Sequence, residues 1–383
     1  MGDFILFTHT KWTEAPRIRH QVARLLLDSG HRVFFFERPT PFWRDPGPAF
    51  EQVQPGLTLV RTRNLLHHQL RALVPLHWLN AAFVESQIRR RLAACDARPD
   101  ATVINFAHDY YFLRRLFPKS RIVTVIHDDF EAQSRLPFTR HIAWSLERTC
   151  RMSDEVFAVS TPLQERLRAW CDPKLLLPWS VVPYRAPAAD MSRRKLLVYW
   201  GFVDSAIDLD VVRRLSDHLR ETRPDWRILL VGPTQGSGRQ AVLDGVAGRA
   251  NIEVRGRTEL DELPLDEIAA ALAPYRSSPA CDSVTLANKS MQLFARGLPL
   301  LISNMPAYIR QPFIVRLDGP GGVGAAVDAA VANFAAWQPQ IERFVADNAP
   351  ATRLRLLGVE PAAHAATGAP ASAAVPPVQS EAR

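Results

Sequence analysis

No uninterrupted apolar run of about 18 residues occurs in the sequence, so a membrane-spanning helix is not expected. The opening stretch MGDFILFTHTKW carries neither a basic leader nor a small-residue cleavage site, and reads as a first strand instead of a signal peptide. Cysteine is sparse: Cys95, Cys150, Cys171 and Cys281 are scattered, with no CxxC pair. That pattern argues against a zinc framework or a disulfide scaffold, and for reduced thiols in a cytoplasmic setting. There is no GxGxxG after a strand, which counts against a nicotinamide dehydrogenase. The stretch VGPTQGSGRQ (231–240) looks like a phosphate loop but has Ser237-Gly238-Arg239 where Gly-Lys-Ser/Thr is required, which excludes P-loop ATPase chemistry. No internal repeat is visible. Lysine is scarce too, with five among 47 basic residues.

What remains is a chain of 383 residues, 47% hydrophobic, long enough for two soluble domains of ~150–200 residues. The net charge of +8 is unevenly placed. Residues 1–180 hold 25 Lys+Arg against 18 Asp+Glu, and the remainder hold 22 against 21. A basic first half suits an anionic partner, or reflects the drift of an arginine-rich chain. No nucleic-acid motif accompanies the charge, so no nucleic-acid partner is expected.

Short apolar runs alternate with amphipathic stretches. FILFTH (4–9), RVFFFERP (32–39), TVINFAH (102–108), RIVTVIHDD (121–129) and EVFAVS (155–160) read as buried strands. RIRHQVARLLLDSG and PLHWLNAAFVESQIRRRLAA have helical spacing, and Ser160/Thr161 with Pro162 read as a helix start. A Pro- and Ala-rich stretch without periodicity follows. Alternation then resumes: KLLVYWG, the helix LDVVRRLSDHLRETRP, WRILLVGP, NIEVRG, a helix near 265–272, a helix over 288–296 and PLLIS. The expected organisation is a first α/β domain over 1–180, a linker at 181–194 and a second α/β domain over 195–325. A helical region over 326–358 and a disordered Ala/Pro-rich tail over 359–383 follow.

In such sheets ligands lie beyond the carboxyl ends of strands. Gly201, in YWGFVDS, permits a close backbone approach to a phosphate or sugar, or is a plain turn glycine. VIHDDFEAQ (125–133) ends a strand with His127, Asp128 and Asp129. A carboxylate there suits a general base, a metal pair or a helix N-cap. His108 and Asp109 carry the same ambiguity, and His9 and Arg17 join the candidates for an acceptor or cleft role. The arginine- and tryptophan-bearing stretch 61–91 has the composition of a helix in a membrane interface, or of a core-facing helix with a solvated arginine face. In NKSMQLFARGLPLLISN (288–304), Lys289 and Gln292 share one helix face, and a helix start suits an anion.

Two α/β units, a proline-rich linker and a long C-terminal helical region make the chain resemble a GT-B glycosyltransferase, glycosyltransferase family 4-like enzymes among them. The segments APRIRHQVARLLLDSGHRVFFFERP, WRILLVGP and ARGLPLLIS carry that resemblance. Ala273-Pro274-Tyr275, Lys289-Ser290-Met291-Gln292 and Gly297-Leu298-Pro299 are similar to the donor-site run of the xanthan-type glucuronosyltransferase family. Asn288 and Arg257 depart from it, standing where that family has Met and where an acidic donor contact is expected.

The resemblance implies two Rossmann-like parallel α/β domains facing across a cleft, the first taking the acceptor and the second a nucleotide-sugar. It places Tyr275, Lys289 and Gln292 at the donor, and Gly201 and Asn288 are carried with them. Asp128 becomes the catalytic base of an inverting, metal-independent transfer from a UDP-sugar, UDP-glucuronate among them. The nucleotide-sugar is the substrate, and no cofactor or metal is expected. A lipid-linked or polysaccharide acceptor for exopolysaccharide or cell-surface glycan synthesis follows. So does a peripheral position on the anionic inner face of the cytoplasmic membrane. The rivals are a retaining GDP-sugar (mannosyl-type) transferase and a non-catalytic sugar-nucleotide-binding scaffold.

Overall fold

The computed structural model describes residues 1–14, 17–66, 74–131, 140–188, 190–233 and 238–362. The chain divides into two units, Met1–Leu176 with Arg353–Arg383, and Leu177–Thr352. Sequence readings of residues 15–16, 67–73, 132–133, 234–237 and 363–383, the bulk of the expected tail among them, lie outside the described residues.

Among its described residues unit 1 has ten strands: β1 Asp3–Phe7, β2 Arg32–Phe36, β3 Thr40–Pro41, β4 Phe50–Gln54, β5 Leu57–Val60, β6 Arg63–Asn64, β7 Thr102–Asn105, β8 Ile122–Ile126, β9 Glu155–Ala158 and β10 Lys174–Leu175. Eight of them form one sheet in the order β10-β9-β8-β7-β1-β2-β5-β4, and β3 pairs with β6. All pairs in the large sheet are parallel except β4 with β5, a hairpin edge. The helices are α1 Ile18–Asp28, α2 Val74–Ala93, α3 Leu113–Leu116, α4 Arg140–Met152 and α5 Thr161–Leu167. The start of α5 is as expected, with Ser160 Oγ accepting from Leu163 N.

The β4–β5 hairpin has no counterpart in the sequence reading, and β6 lies in the stretch 61–91 whose composition suggests a helix; the helical spacing of 75–94 corresponds to α2. Alternation in β4 is weak because it is an exposed edge strand.

Among its described residues unit 2 has six parallel strands in the order β13-β12-β11-β14-β15-β16. These are β11 Leu196–Trp200, β12 Arg227–Val231, β13 Ile252–Arg255, β14 Ile268–Pro274, β15 Leu300–Ser303 and β16 Ile314–Arg316. Around them lie α6 Leu209–Thr222, α7 Gly238–Val246, α8 Pro279–Asp282, α9 Asn288–Phe294 and α10 Gly322–Asp347, followed by α11 Pro350–Leu356.

The segment expected as a helix near 265–272 is instead the central strand β14. All seven of its residues are buried, and it pairs with β11 on one side and β15 on the other. A surface helix needs a polar stripe. IAAALAP has none, and its small side chains suit a strand covered on both faces.

The expected linker is tied to unit 2. Arg185 N donates to Ala295 O at 2.8 Å, and Tyr184 Oη to Gln338 Oε1 at 2.8 Å. The buried guanidinium of Arg194 donates to the carbonyls of Ala188, Leu265 and Ile268. The first residues of the expected tail are likewise packed, on unit 1. Val359 and Ala362 are buried, Ala362 N donates to Ser29 O at 2.8 Å, and Arg121 Nη1 to Leu357 O at 2.7 Å. Among the described residues no helix is long and apolar enough to cross a membrane.

Candidate functional site

In unit 2 the strand order reverses between β11 and β14, and the crevice beyond their carboxyl ends is where such sheets bind ligands. Gly201 follows β11 and Tyr275 follows β14. Tyr275 is held there by an isolated bridge to Ile207 and by Asn304, whose side-chain amide donates to Tyr275 O at 2.7 Å and to Asp208 Oδ2 at 3.1 Å. Asn304 takes the left-handed backbone (φ 53°), a conformation asparagine tolerates, to aim that amide back at the strand end.

Lys289 reaches the same point from the first turn of α9. Its ammonium donates to Tyr275 Oη and lies 4.3 Å from the ring centre of Tyr199, whose own hydroxyl donates to Phe202 O at 2.7 Å. A Cβ at Gly201 would stand 2.8 Å from Lys289 Nζ, so the glycine leaves room for the ammonium. Gly232, after β12, packs on Gly201 from the other side: a Cβ there would fall 1.7 Å from Gly201 O, and its φ of 154° suits glycine. Among the described residues no carboxylate pairs with Lys289. Its charge is held by aromatic faces and a hydroxyl, and remains open to an anion.

Helix α9 is shorter than expected, seven residues ending at Phe294. Gly297, at φ 69°, closes it: Leu298 N donates to Leu293 O and Gly297 N to Phe294 O. The start is pinned by Tyr308, whose buried hydroxyl donates to Ser290 Oγ at 2.6 Å and accepts from Ala287 N. Burial pushes that hydroxyl up to about 12, against a smaller opposing effect of Ser290. With two turns the helix dipole is a minor contribution, and the cation is the dominant charge. Gln292 is partly buried and its side-chain amide meets no described partner; Asn288 is exposed. Arg257 is exposed and paired with Glu259 Oε1 at 3.1 Å, away from any anion role in this structure.

In unit 1 the corresponding reversal lies between β1 and β7. His9 follows β1, His108 and Asp109 follow β7, and His127, Asp128 and Asp129 follow β8. The fold brings most of these together. His9 Nε2 and Asp109 Oδ1 are 2.6 Å apart, and His108 stacks on Phe130 with ring centres 4.4 Å apart. Phe130 meets the His127 ring edge-on at 5.2 Å.

Arg19, on the apolar face of α1, is buried and donates through Nη1 to His127 Nε2. Burial first, then the Arg19 charge, hold His127 well below the usual imidazole range, so it is neutral and serves as an acceptor. Burial and the neighbouring Arg17 bring Arg19 down to about 10, while Asp128 pulls it the other way. Asp128, with a third of its side chain exposed, lies 3.3 Å from His127 Nε2. Arg17 is exposed at the head of α1.

Asp129 is the exception. It turns to Arg166 at 2.7 Å, alongside Glu131, and braces α5.

Sequence reasoning did not find Tyr199, Gly232, Asn304 or Arg19. Arg19 left one signal, an arginine inside the apolar stripe of IRHQVARLLL. Gly232 ends a strand, but the phosphate-loop comparison drew attention past it.

Residues 17–183 match the family model for Glycosyltransferase Family 4. No curated protein matches the chain by sequence. Solved structures do match along nearly the whole length. An α,α-trehalose-phosphate synthase (UDP-forming) from Burkholderia xenovorans, in complex with glucose-6-phosphate, is 14% identical, with a TM-score of 0.64 over 94% of this chain and 99% of that one. HepE of Anabaena, in complex with UDP, is 11% identical, with a TM-score of 0.61 over 94% and 98%. WaaG, a glycosyltransferase involved in lipopolysaccharide biosynthesis, is 13% identical, with a TM-score of 0.58 over 94% and 100%.

Proposed function

From the GT-B fold and the family-4 match over residues 17–183, we propose that the chain is a glycosyltransferase that transfers a sugar from a UDP-sugar to a hydroxyl of a lipid-linked or polysaccharide acceptor. The observation that carries this reading is the ammonium of Lys289 at the strand reversal of unit 2, set over Tyr199 and Tyr275 and beside Gly201, with no carboxylate partner among the described residues. A compact, partly exposed cation suits diphosphate oxygens. It stabilises the negative charge that develops as UDP departs, without a metal at that point. Gln292, one turn along the helix face, hydrogen-bonds the nucleotide, and Asn288 borders the site.

The acceptor binds at the carboxyl edge of unit 1. Asp128, the partly exposed carboxylate there, takes the proton from the attacking hydroxyl in an inverting displacement. Arg17 and Arg19 give that edge a positive character suited to an acceptor bearing phosphate. Exposed Phe42, Trp43, Trp78 and Leu79 on the basic unit 1 suit a peripheral position on an anionic membrane surface, with exopolysaccharide or cell-surface glycan as the product. UDP-glucuronate is the sugar that the donor motif favours.

Calorimetric titration with UDP and GDP in EDTA tests the donor. Binding of UDP at least tenfold tighter than GDP is expected, and equal or reversed affinity overturns the assignment. Flotation with liposomes tests the membrane, where a preference for anionic over neutral lipid is expected.

A further inference from the structure

Three side chains at the strand reversal of unit 1 take no part in the transfer proposed above. His9 and Asp109 are 100 positions apart in sequence yet 2.6 Å apart in space. His108 adds a third donor: one ligand atom from each of His9, His108 and Asp109 lies within 4.8 Å of the other two. Asp109 is buried, and both imidazoles are partly buried. The rings are braced by aromatic contacts, His108 stacked on Phe130 and His9 edge-on to Tyr110 at 5.3 Å. Donors fixed this way lose little freedom on capturing a ligand.

We propose that His9, His108 and Asp109 form a binding site for a divalent transition-metal cation of the zinc class. Two imidazole nitrogens and one carboxylate suit Zn²⁺, Co²⁺ or Ni²⁺, whereas Mg²⁺ and Ca²⁺ prefer sets of oxygens. Bonds of about 2.0–2.2 Å in tetrahedral geometry set neighbouring donors roughly 3.4 Å apart. The His9–Asp109 contact therefore opens slightly and His108 closes by about 1 Å, within the reach of side-chain rotation. Three protein ligands leave a fourth position to water. A metal pair is one of the readings that the strand-end pattern leaves open for His108 and Asp109, but no ligand spacing links them to His9, and only the order of the strands brings the three together.

The test uses the full chain, stripped with EDTA and exchanged into chelator-free buffer, and titrated with Co²⁺. Visible absorption bands of low-coordinate cobalt are expected, saturating near one equivalent and bleached by Zn²⁺. His9→Asn and His108→Asn, each with unchanged circular dichroism, are expected to lose the bands, and Lys289→Ala to keep them. Absence of bands in the wild type, or bands that survive both histidine variants, overturns the proposal.

A second measurement needs no variant. Zn²⁺ is expected to perturb the imidazole proton–nitrogen NMR signals of two of the eleven histidines, and perturbation elsewhere alone also overturns it. Neither readout depends on sugar transfer, so failure of this site and failure of the proposed function are separable.

Discussion

Lys289 sets its ammonium 4.3 Å from the ring centre of Tyr199 and 4.7 Å from that of Tyr275, so one cation rests on two aromatic faces. The arrangement positions a charge without neutralising it. Lys289→Ala is expected to weaken UDP binding at least tenfold, a loss near 1.4 kcal/mol, while leaving the circular dichroism unchanged. Calorimetry checks this, and unaltered affinity would remove Lys289 from the donor site.

The two glycines beside it should respond differently to the same methyl group. At Gly201 the new Cβ meets the far end of Lys289, which can swing away. Gly201→Ala should therefore cost UDP affinity about fivefold, near 1 kcal/mol, with stability within about 1 kcal/mol of wild type. At Gly232 the clash is with backbone, 1.7 Å from Gly201 O, at a φ of 154°. Gly232→Ala should destabilise by about 3 kcal/mol or more. Urea unfolding of the two variants side by side would show whether the order holds.

Asp128→Asn keeps the shape of the side chain and removes its ability to take a proton. Turnover should fall at least about a hundredfold, with UDP affinity unchanged. Activity within a few-fold of wild type would end the case for Asp128 as base.

His20 supplies a pH dependence of known sign. Its Nδ1 accepts from Arg17 N at 3.1 Å and its Nε2 donates to Lys11 O at 3.2 Å, so the neutral ring is satisfied. Burial pushes its pKa down to about 4, only partly offset by the Lys11 carbonyl. Unfolded imidazole titrates near 6.5, so between those values the unfolded chain binds the extra proton. The stabilisation is complete above about pH 6.5 and is lost as pH falls toward 4, by up to about 3 kcal/mol. Unfolding free energies at pH 7, 6 and 5 should fall less steeply for His20→Gln than for wild type; equal slopes would count against the assignment.

Much of the fold was legible because most strands are either flanked by turn residues or rich in β-branched and aromatic side chains. RIVTVIHDD and WRILLVGP declare themselves this way, and α6 shows its apolar stripe plainly. Lys289 and Tyr275 stand in the sequence as an expected donor motif. What brings Tyr199 and Tyr275 together beneath the Lys289 ammonium is the pairing of β11 with β14, which no local pattern encodes. His9 and Asp109 make the same point more sharply, since their proximity is a property of strand order alone. The misread segments fail for opposite reasons: β4 is too exposed to alternate, and β14 is too buried to show any face at all.

β14 also shapes how unit 2 comes into being. Alanine is the strongest helix former and a poor strand former, so IAAALAP prefers, on its own, a conformation it does not adopt in the finished protein. It nonetheless occupies the middle of the sheet, joining β11–β13 to β15 and β16. The two halves cannot merge until this segment gives up its local preference, which happens only when neighbouring strands are present to pair with it. Assembly of unit 2 is therefore gated at its centre, and the strand that carries Tyr275 to the site is the one least able to form alone.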